Sequence, residues 1–281
     1  MMGNHKLSER HACALVGLSR DSYRHPVVTS PLNEELRQKI VQTAHERRRW
    51  GYRMIHDVLR PEYPGINHKR IYRLYSQQGL AIRKRKKTKR TGVRVPLVAA
   101  TAVNQTWSMD FVSDAIARPG AVARRIKCLT VADDFSHECV DIAVDFGLGG
   151  HYVTRILDRA AQFRGYPEAV RTDNGPEFTC RAFMTWAQKH GIKHILIQPG
   201  RPTQNAYVES FNGTFRDECL DENWFESLAR ARQAIHQWRK DYNEIRPHST
   251  IGGIPPAQFA ALNRQLTGDS ARTPGNQDTI K

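Results

Sequence analysis

Three acids in this 281-residue chain, Asp110, Asp173 and Glu209, have the residue type and setting to do chemistry. Asp110 stands between Met109 and Phe111 in "TWSMDF", an apolar run that predicts a strand, where an acid is costly unless something pairs with it. Asp173 falls where the short strand "AVRT" gives way to the turn "NGPE", and ligands of open α/β sheets bind at strand ends. Glu209 lies on a helix predicted to begin near Asn205. Val208, Phe211, Phe215 and Cys219 form the packing stripe of that helix, while Asn205, Glu209, Asn212 and Arg216 share another face. Three hard oxygen ligands on rigid elements suit Mg²⁺, which accepts carboxylates and keeps positions for phosphate and water. Two such ions, ~4 Å apart, would activate the attacking oxygen and stabilise the leaving one in an in-line phosphoryl displacement. Arg216 would then contact phosphate, with Asn205 and Asn212 offering neutral hydrogen bonds beside it. Taken singly, each acid is more often half of a structural pair. Among the rival acids, Asp133 and Asp134 read as turn residues and Glu177 as local scaffolding.

The elements that must carry these residues follow from periodicity. "QTWSMDFV" reads as a strand, and "KCLTVADDFSHECVDIAVDF" as two strands around a turn at Asp133 to Ser136. A helix in "HYVTRILDRAAQFRGYP" stops near Gly165. The strand "EAVRTD", the helix "RAFMTWAQKHG" and the strand "KHILIQP" follow, and helices dominate from Asn205 to about Leu262. Three strands, then alternating helices and strands, predict an α/β fold with a mixed sheet flanked by helices. His190 and His194 have a helical ligand spacing but straddle the helix-breaking Gly191, so they are not expected to share a metal.

Upstream the pattern is helical and basic. Residues 8–23 outline a helix-turn-helix: Ser8 opens it, Ala12, Leu15 and Val16 form the stripe, Gly17 turns, and Ser19 starts the second segment. Three more helices carry the stripes Leu36/Ile40/Ala44, Ile55/Val58/Leu59 and Ile71/Leu74/Tyr75. The last follows Asn67 as N-cap and presents Lys69, Arg70 and Arg73, a face suited to phosphates or a major groove. "RKRKKTKRTGVR", with Arg83, Lys84, Arg85, Lys86 and Lys87, has too little apolar content to fold and would add salt-dependent affinity for DNA. The expected organisation is a helix-turn-helix-like segment at 1–25, a helical DNA-binding domain at 26–82, a basic linker at 83–103, the α/β domain at 104–265 and a disordered tail at 266–281.

Charge supports that division. Of 43 Lys and Arg and 28 Asp and Glu, residues 1–96 hold 22 cations and 7 acids, leaving 21 of each for the rest. The net charge of +15 therefore resides in the first third, as in a polyanion-binding arm attached to a body with another task. No apolar run reaches the ~20 residues that span a bilayer, and there is no secretory signal. The five cysteines form no CxxC pair, which excludes a zinc knuckle and a disulfide framework. The chain reads as cytoplasmic and nucleoid-associated, with no membrane partner.

The blocks "TWSMDF", "RTDNGPEF" and "RPTQNAYVESFNGTFRDECL", with 35 residues between Asp173 and Glu209, closely resemble the signature of DDE transposases and retroviral integrases. In detail the chain resembles the OrfB subunit of insertion-sequence family three. "YNEIRPHSTIGGIPPAQF" is similar to the block that ends the catalytic region in that family, and Arg216 stands where the family has Lys or Arg. The resemblance implies a ribonuclease-H-like, integrase-like catalytic core with Asp110, Asp173 and Glu209 holding two Mg²⁺ (or Mn²⁺). It implies hydrolysis of a phosphodiester at an element's end, then attack of the freed 3'-hydroxyl on a second phosphodiester, without a covalent protein–DNA intermediate. The implied partners are double-stranded DNA, both transposon ends and target, and further copies of the chain in a dimer or larger assembly. Family members usually act as a fusion with an upstream OrfA product. This chain starts at its own Met1 without a sustained heptad pattern, so it is expected to be the downstream half alone.

Two other classes fit parts of the pattern. A DNA-binding regulator with a vestigial catalytic fold would be indifferent to Glu209→Gln. A ribonuclease-H-like nuclease would prefer RNA–DNA hybrids to duplex DNA.

Overall fold

The structure, a computed structural model, describes residues 7–25, 30–82, 99–117, 120, 122–197 and 206–267. Residues 83–98 of the linker expected at 83–103, residues 268–281 of the tail expected at 266–281, Asn205 and the cations Arg83, Lys84, Arg85, Lys86 and Lys87 lie outside the described residues. The chain divides into two compact units, one from residues 1–55 with 65–82, the other from 56–64 with everything after 82.

The first unit is all-helical. Helix α1 (Glu9–Leu15) begins at Ser8, whose hydroxyl caps the His11 amide, and α2 (Arg20–Arg24) begins at Ser19, which caps Ser22 in the same way. The two-helix outline is present, but its packing face differs from the expected stripe. Ala12 and Cys13 are buried, whereas Leu15 and Val16 are 61% and 58% exposed. Spacing alone cannot tell which of two overlapping stripes on a seven-residue helix turns inward. Helices α3 (Pro31–Glu46) and α5 (His68–Gln77), and α4 (Tyr52–Leu59), whose last four residues are counted with the second unit, follow the predicted pattern. Leu36 and Ile40 of α3 and Ile71, Leu74 and Tyr75 of α5 are buried.

The second unit carries a five-stranded mixed sheet of order β3-β2-β1-β4-β5. The strands are β1 (Thr106–Ile116), β2 (Arg124–Asp133), β3 (Cys139–Asp145), β4 (Ala169–Thr172) and β5 (Lys193–Leu196). β1 pairs antiparallel with β2 and parallel with β4; β2 pairs antiparallel with β3 and β4 parallel with β5. Alternation along the strands feeds two cores. Trp107, Met109, Leu129 and Val131 pack with α6 (Gly150–Arg164) and α8 (Arg181–Lys189), which follows the short α7 (Pro176–Thr179). Val112, Ile116, Ile126 and Cys128 pack on the other face with α9 (Ala206–Phe215) and α10 (Leu228–Glu244). A π-helical turn, Arg216–Leu220, continues α9, and α11 (Pro256–Thr267) closes the unit. Helix α6 ends at Gly165, whose φ of +79° few other residues adopt. The outer edge of β3 is occupied by α10: Asn243 bonds both the amide and the carbonyl of Cys139, and Arg239 and Arg232 donate to the carbonyls of Val140 and Val144. Those side chains satisfy edge groups that would otherwise be free to pair with another chain. No described helix is long and apolar enough to cross a membrane.

Candidate active site

Asp110 is in phase with Val112 and Ile116, so its side chain faces α9 rather than the α6/α8 layer. There its carboxylate accepts from Asn212 Nδ2 at 2.9 Å, and its Oδ1 accepts the Phe111 amide at 2.7 Å. The Thr130 hydroxyl, directly across the β1–β2 ladder, lies 3.0 Å from the Asp110 carbonyl and 2.8 Å from Asn212 Oδ1. Asn212 thus binds α9 to both central strands, and with it Glu209, three residues back on the same helix.

β4 delivers the second acid. Thr106, Trp107 and Ser108 stand beside Ala169, Val170 and Arg171; two further residues in that register bring Asp173 level with Asp110. Asp173 Oδ1 accepts the Gly175 amide at 3.0 Å. A Cβ on Gly175 would lie 3.0 Å from that oxygen and 3.2 Å from Glu177 Oε2, so a larger residue there would press on both carboxylates. Glu177 itself is paired with Lys127 at 2.6 Å.

The three acids share one electrostatic neighbourhood. Burial raises the Asp110 carboxyl above its ordinary range, and the carboxylates of Asp173 and Glu209 push it the same way, against the Phe111 amide and Asn212. A half-buried carboxylate facing two others is the donor set that a hard divalent cation fits. Among the described residues no three His, Cys, Asp or Glu side chains close into a coordination shell.

The remaining residues fall as follows. Arg216, in the π-helical turn, is exposed and donates through Nη2 to the Ser113 carbonyl at 3.1 Å. Both ends of the Asn212 amide are engaged within the protein, by Asp110 and Thr130, a role the sequence did not disclose. On α5, capped by Asn67 at the Lys69 amide, Lys69 and Arg73 are exposed, while Arg70 is tied to Asn33 at 2.8 Å. Asp133 and Asp134 are not solvent-facing turn acids. Asp133 is fully buried and accepts from Asn104, Phe135 and Ser136, and Asp134 forms a buried ion pair with Arg171 of β4. His190 stacks on Tyr166, and His194 bonds the Thr172 hydroxyl; the two are on separate elements. Trp107 and Trp50 are core residues.

Comparison with known proteins agrees with this architecture. Two family models, both described as integrase core domain, match residues 100–202 and 190–256, and an HTH-like domain matches 31–88. The chain belongs to the insertion-element transposases with an integrase core, enzymes of the polynucleotidyl-transferase class. It is 61% identical over 272 residues to the insertion element IS476 39.2 kDa protein of Xanthomonas euvesicatoria, covering 96% of this chain and 78% of that one. It is 56% identical over 261 residues to the IS407 31.7 kDa protein of Burkholderia multivorans, covering 92% of each. The putative transposase InsK of IS150 from Escherichia coli is 26% identical over 238 residues, covering 80% and 82%. The simian T-cell lymphotropic virus intasome has the same fold, at a TM-score of 0.50 and 15% identity over 82% of this chain and 78% of that one.

Proposed function

We propose that this transposase cuts and joins DNA at the ends of an insertion element, with Asp110, Asp173 and Glu209 as the residues that hold its metal. The observation that carries this reading is geometric: Asn212 ties the helix that bears Glu209 to the Asp110 carboxylate of β1 at 2.9 Å, and β1 runs parallel to β4, whose end bears Asp173. Mg²⁺ or Mn²⁺, bound as a pair, would supply activation of the attacking oxygen and charge stabilisation at the leaving one. The chain's own residues do the positioning. Asn212 holds Asp110 and α9 in register, the Gly175 amide holds the Asp173 carboxylate at the end of its strand, and Arg216 stands beside β1 to take a phosphate. In the first step water attacks the phosphorus at the element's end, the bond to the 3'-oxygen breaks, and a 3'-hydroxyl and a 5'-phosphate result. In the second, that hydroxyl attacks a phosphodiester of the target, displacing its 3'-oxygen and leaving the number of phosphodiester bonds unchanged.

In this reading residues 1–25 and 26–82 grip duplex DNA, through Lys69, Arg70 and Arg73, and residues 83–103 continue that contact through Arg83 to Lys87. Residues 104–265 carry catalysis, with Asn205 and Asn212 beside the strand. Two ends must be brought together, so the active form is a dimer or larger assembly on DNA, working in the cytoplasm with an upstream OrfA product or as a fusion to it. The test is incubation of the full chain, with and without that product, with a labelled duplex bearing the element's terminal repeat. Mg²⁺-dependent appearance of a 3'-hydroxyl end and a joined product supports the reading; preferential cutting of an RNA–DNA hybrid contradicts it.

A further inference from the structure

Ser108, Arg171 and Tyr207 each stand two residues before one of the three acids, Asp110, Asp173 and Glu209. On a strand a step of two stays on the same face, so Ser108 and Arg171 share the α9 side of the sheet with Asp110 and Asp173. Arg171 is ion-paired with Asp134 of the turn between β2 and β3, and its Nη1 donates to the Ser108 hydroxyl at 3.3 Å. Tyr207 meets the same turn through His137, in an edge-on contact with ring centroids 4.6 Å apart. The β2–β3 turn is therefore linked to every element that bears an acid.

That turn is held firmly. Buried Asp133 accepts from the amides of Asn104, Phe135 and Ser136. The Asp134 amide donates to the Thr106 carbonyl at 3.0 Å, and the His137 amide to the Asp133 carbonyl at 3.0 Å. Asn104 and His137, both bonded to Asp133, are the two described non-glycine residues at positive φ, 63° and 61°. A left-handed residue other than glycine costs free energy, persists where its surroundings over-determine it, and is found most at functional sites. Glycine would suit the backbone at 137 better, so the imidazole itself needs a reason. Its ring lies between Tyr207 and the ring of His248, the latter 6.4 Å away. Tyr207 stands at the start of α9, and Glu209 falls between two ties of that helix, His137 on Tyr207 before it and Asn212 on Asp110 after it. One tie would leave the helix free to pivot; two on either side of Glu209 fix its direction.

We propose that His137 is a positioning residue of the carboxylate site: by bracing Tyr207 it fixes where α9 presents Glu209. The proposal rests on the reading of Asp110, Asp173 and Glu209 as metal ligands and adds to it the turn that aligns the third of them.

The experiment reads metal binding without catalysis. Mn²⁺ is titrated into the full chain without DNA, and the free ion is followed by its electron paramagnetic resonance signal. His137→Gly suits the left-handed backbone, and Tyr207→Leu keeps an apolar side chain against the core, so both variants remain able to fold. Their Mn²⁺ affinity should fall roughly 10- to 100-fold, as for other groups that orient a metal ligand. Tyr207→Phe, which keeps the ring against His137, should stay close to wild type. Phe135→Ala removes from the same turn its contact with Phe259 of α11, a helix that bears none of the acids. It should lower the unfolding midpoint and leave Mn²⁺ affinity as in wild type. Unchanged affinity in His137→Gly or in Tyr207→Leu overturns the proposal and leaves the metal reading standing. A loss in Phe135→Ala as large as theirs also overturns it, because the turn would then be a structural brace alone. Equal Mn²⁺ affinity in wild type and Glu209→Gln overturns the metal reading and the proposal with it.

Discussion

Asn212 donates to the Asp110 carboxylate at 2.9 Å while its own carbonyl lies 2.8 Å from the Thr130 hydroxyl. This one amide joins the Glu209 helix to the strand that bears the first acid. Removing it in Asn212→Ala takes from Asp110 a hydrogen bond that stabilises its ionised form and loosens the register of α9. Cleavage and joining should fall roughly 10- to 100-fold, as for other groups that orient a metal ligand. Because Asn212 holds the Asp110 carboxyl down, its loss moves that carboxyl up, and the acid limb of the rate–pH profile should shift to higher pH. A pH–rate profile of variant and wild type checks both the size and the direction.

Affinity for duplex DNA should depend on salt through exposed cations. Each phosphate contact removed lowers the slope of log K against log salt by about 0.9, so Lys69→Ala with Arg73→Ala should flatten it by roughly two and Arg216→Ala by roughly one. Fluorescence anisotropy across a salt series gives these slopes directly. Arg70→Ala should also cost stability, because its guanidinium is bonded to Asn33 of α3.

Arg246 grips Glu218 in the π-helical turn with two short bonds, at 2.7 and 2.8 Å, and both side chains are largely buried. This pair fastens the segment after α10 to the turn that extends the Glu209 helix. Truncation in Arg246→Ala leaves a buried carboxylate alone and should destabilise the chain by roughly 3–5 kcal/mol. Lysine cannot reproduce the fork, so Arg246→Lys should recover little. Adding Glu218→Ala to Arg246→Ala should restore part of the loss, measurable by denaturant unfolding.

His248 predicts acid sensitivity. Burial, then the charge of Arg246 and the neighbouring His137, lower it from 6.5 to about 3. As pH falls through 6.5 the unfolded chain takes up a proton at this site and the folded chain does not, so stability is lost in the window from 6.5 down to about 3. One such group contributes at most about 1.4 kcal/mol per pH unit. His137 is shifted downward by burial as well and adds to the same trend. Unfolding free energies across that window should decline less steeply in His248→Gln than in wild type.

Much of this was legible in the sequence because it depends on local pattern. The period-2 runs around Asp110 and in "CVDIAVD", the stripe Val208/Phe211/Phe215/Cys219 and the stops at Gly165 and Gly191 each report on their own element. What escaped were pairings between residues far apart in the chain. Asp133 and Asp134 sit in a turn-like stretch, but their partners Asn104 and Arg171 lie 29 and 37 residues away, so their burial leaves no local trace. Asn212 and Asp110 are 102 residues apart, and an asparagine on a polar face does not say whether it meets solvent or a carboxylate. Leu15 and Val16 failed differently: α1 is too short for its periodicity to choose a face.

The central claim is that Glu209 acts with Asp110 and Asp173 at one metal-dependent site. It is tested most directly by comparing wild type and Glu209→Gln in Mg²⁺-dependent joining of a labelled element end to target DNA, with binding of the same DNA measured alongside. The account predicts equal binding and a loss of joining of roughly a hundredfold or more in the variant. Joining by Glu209→Gln at the wild-type rate would contradict it.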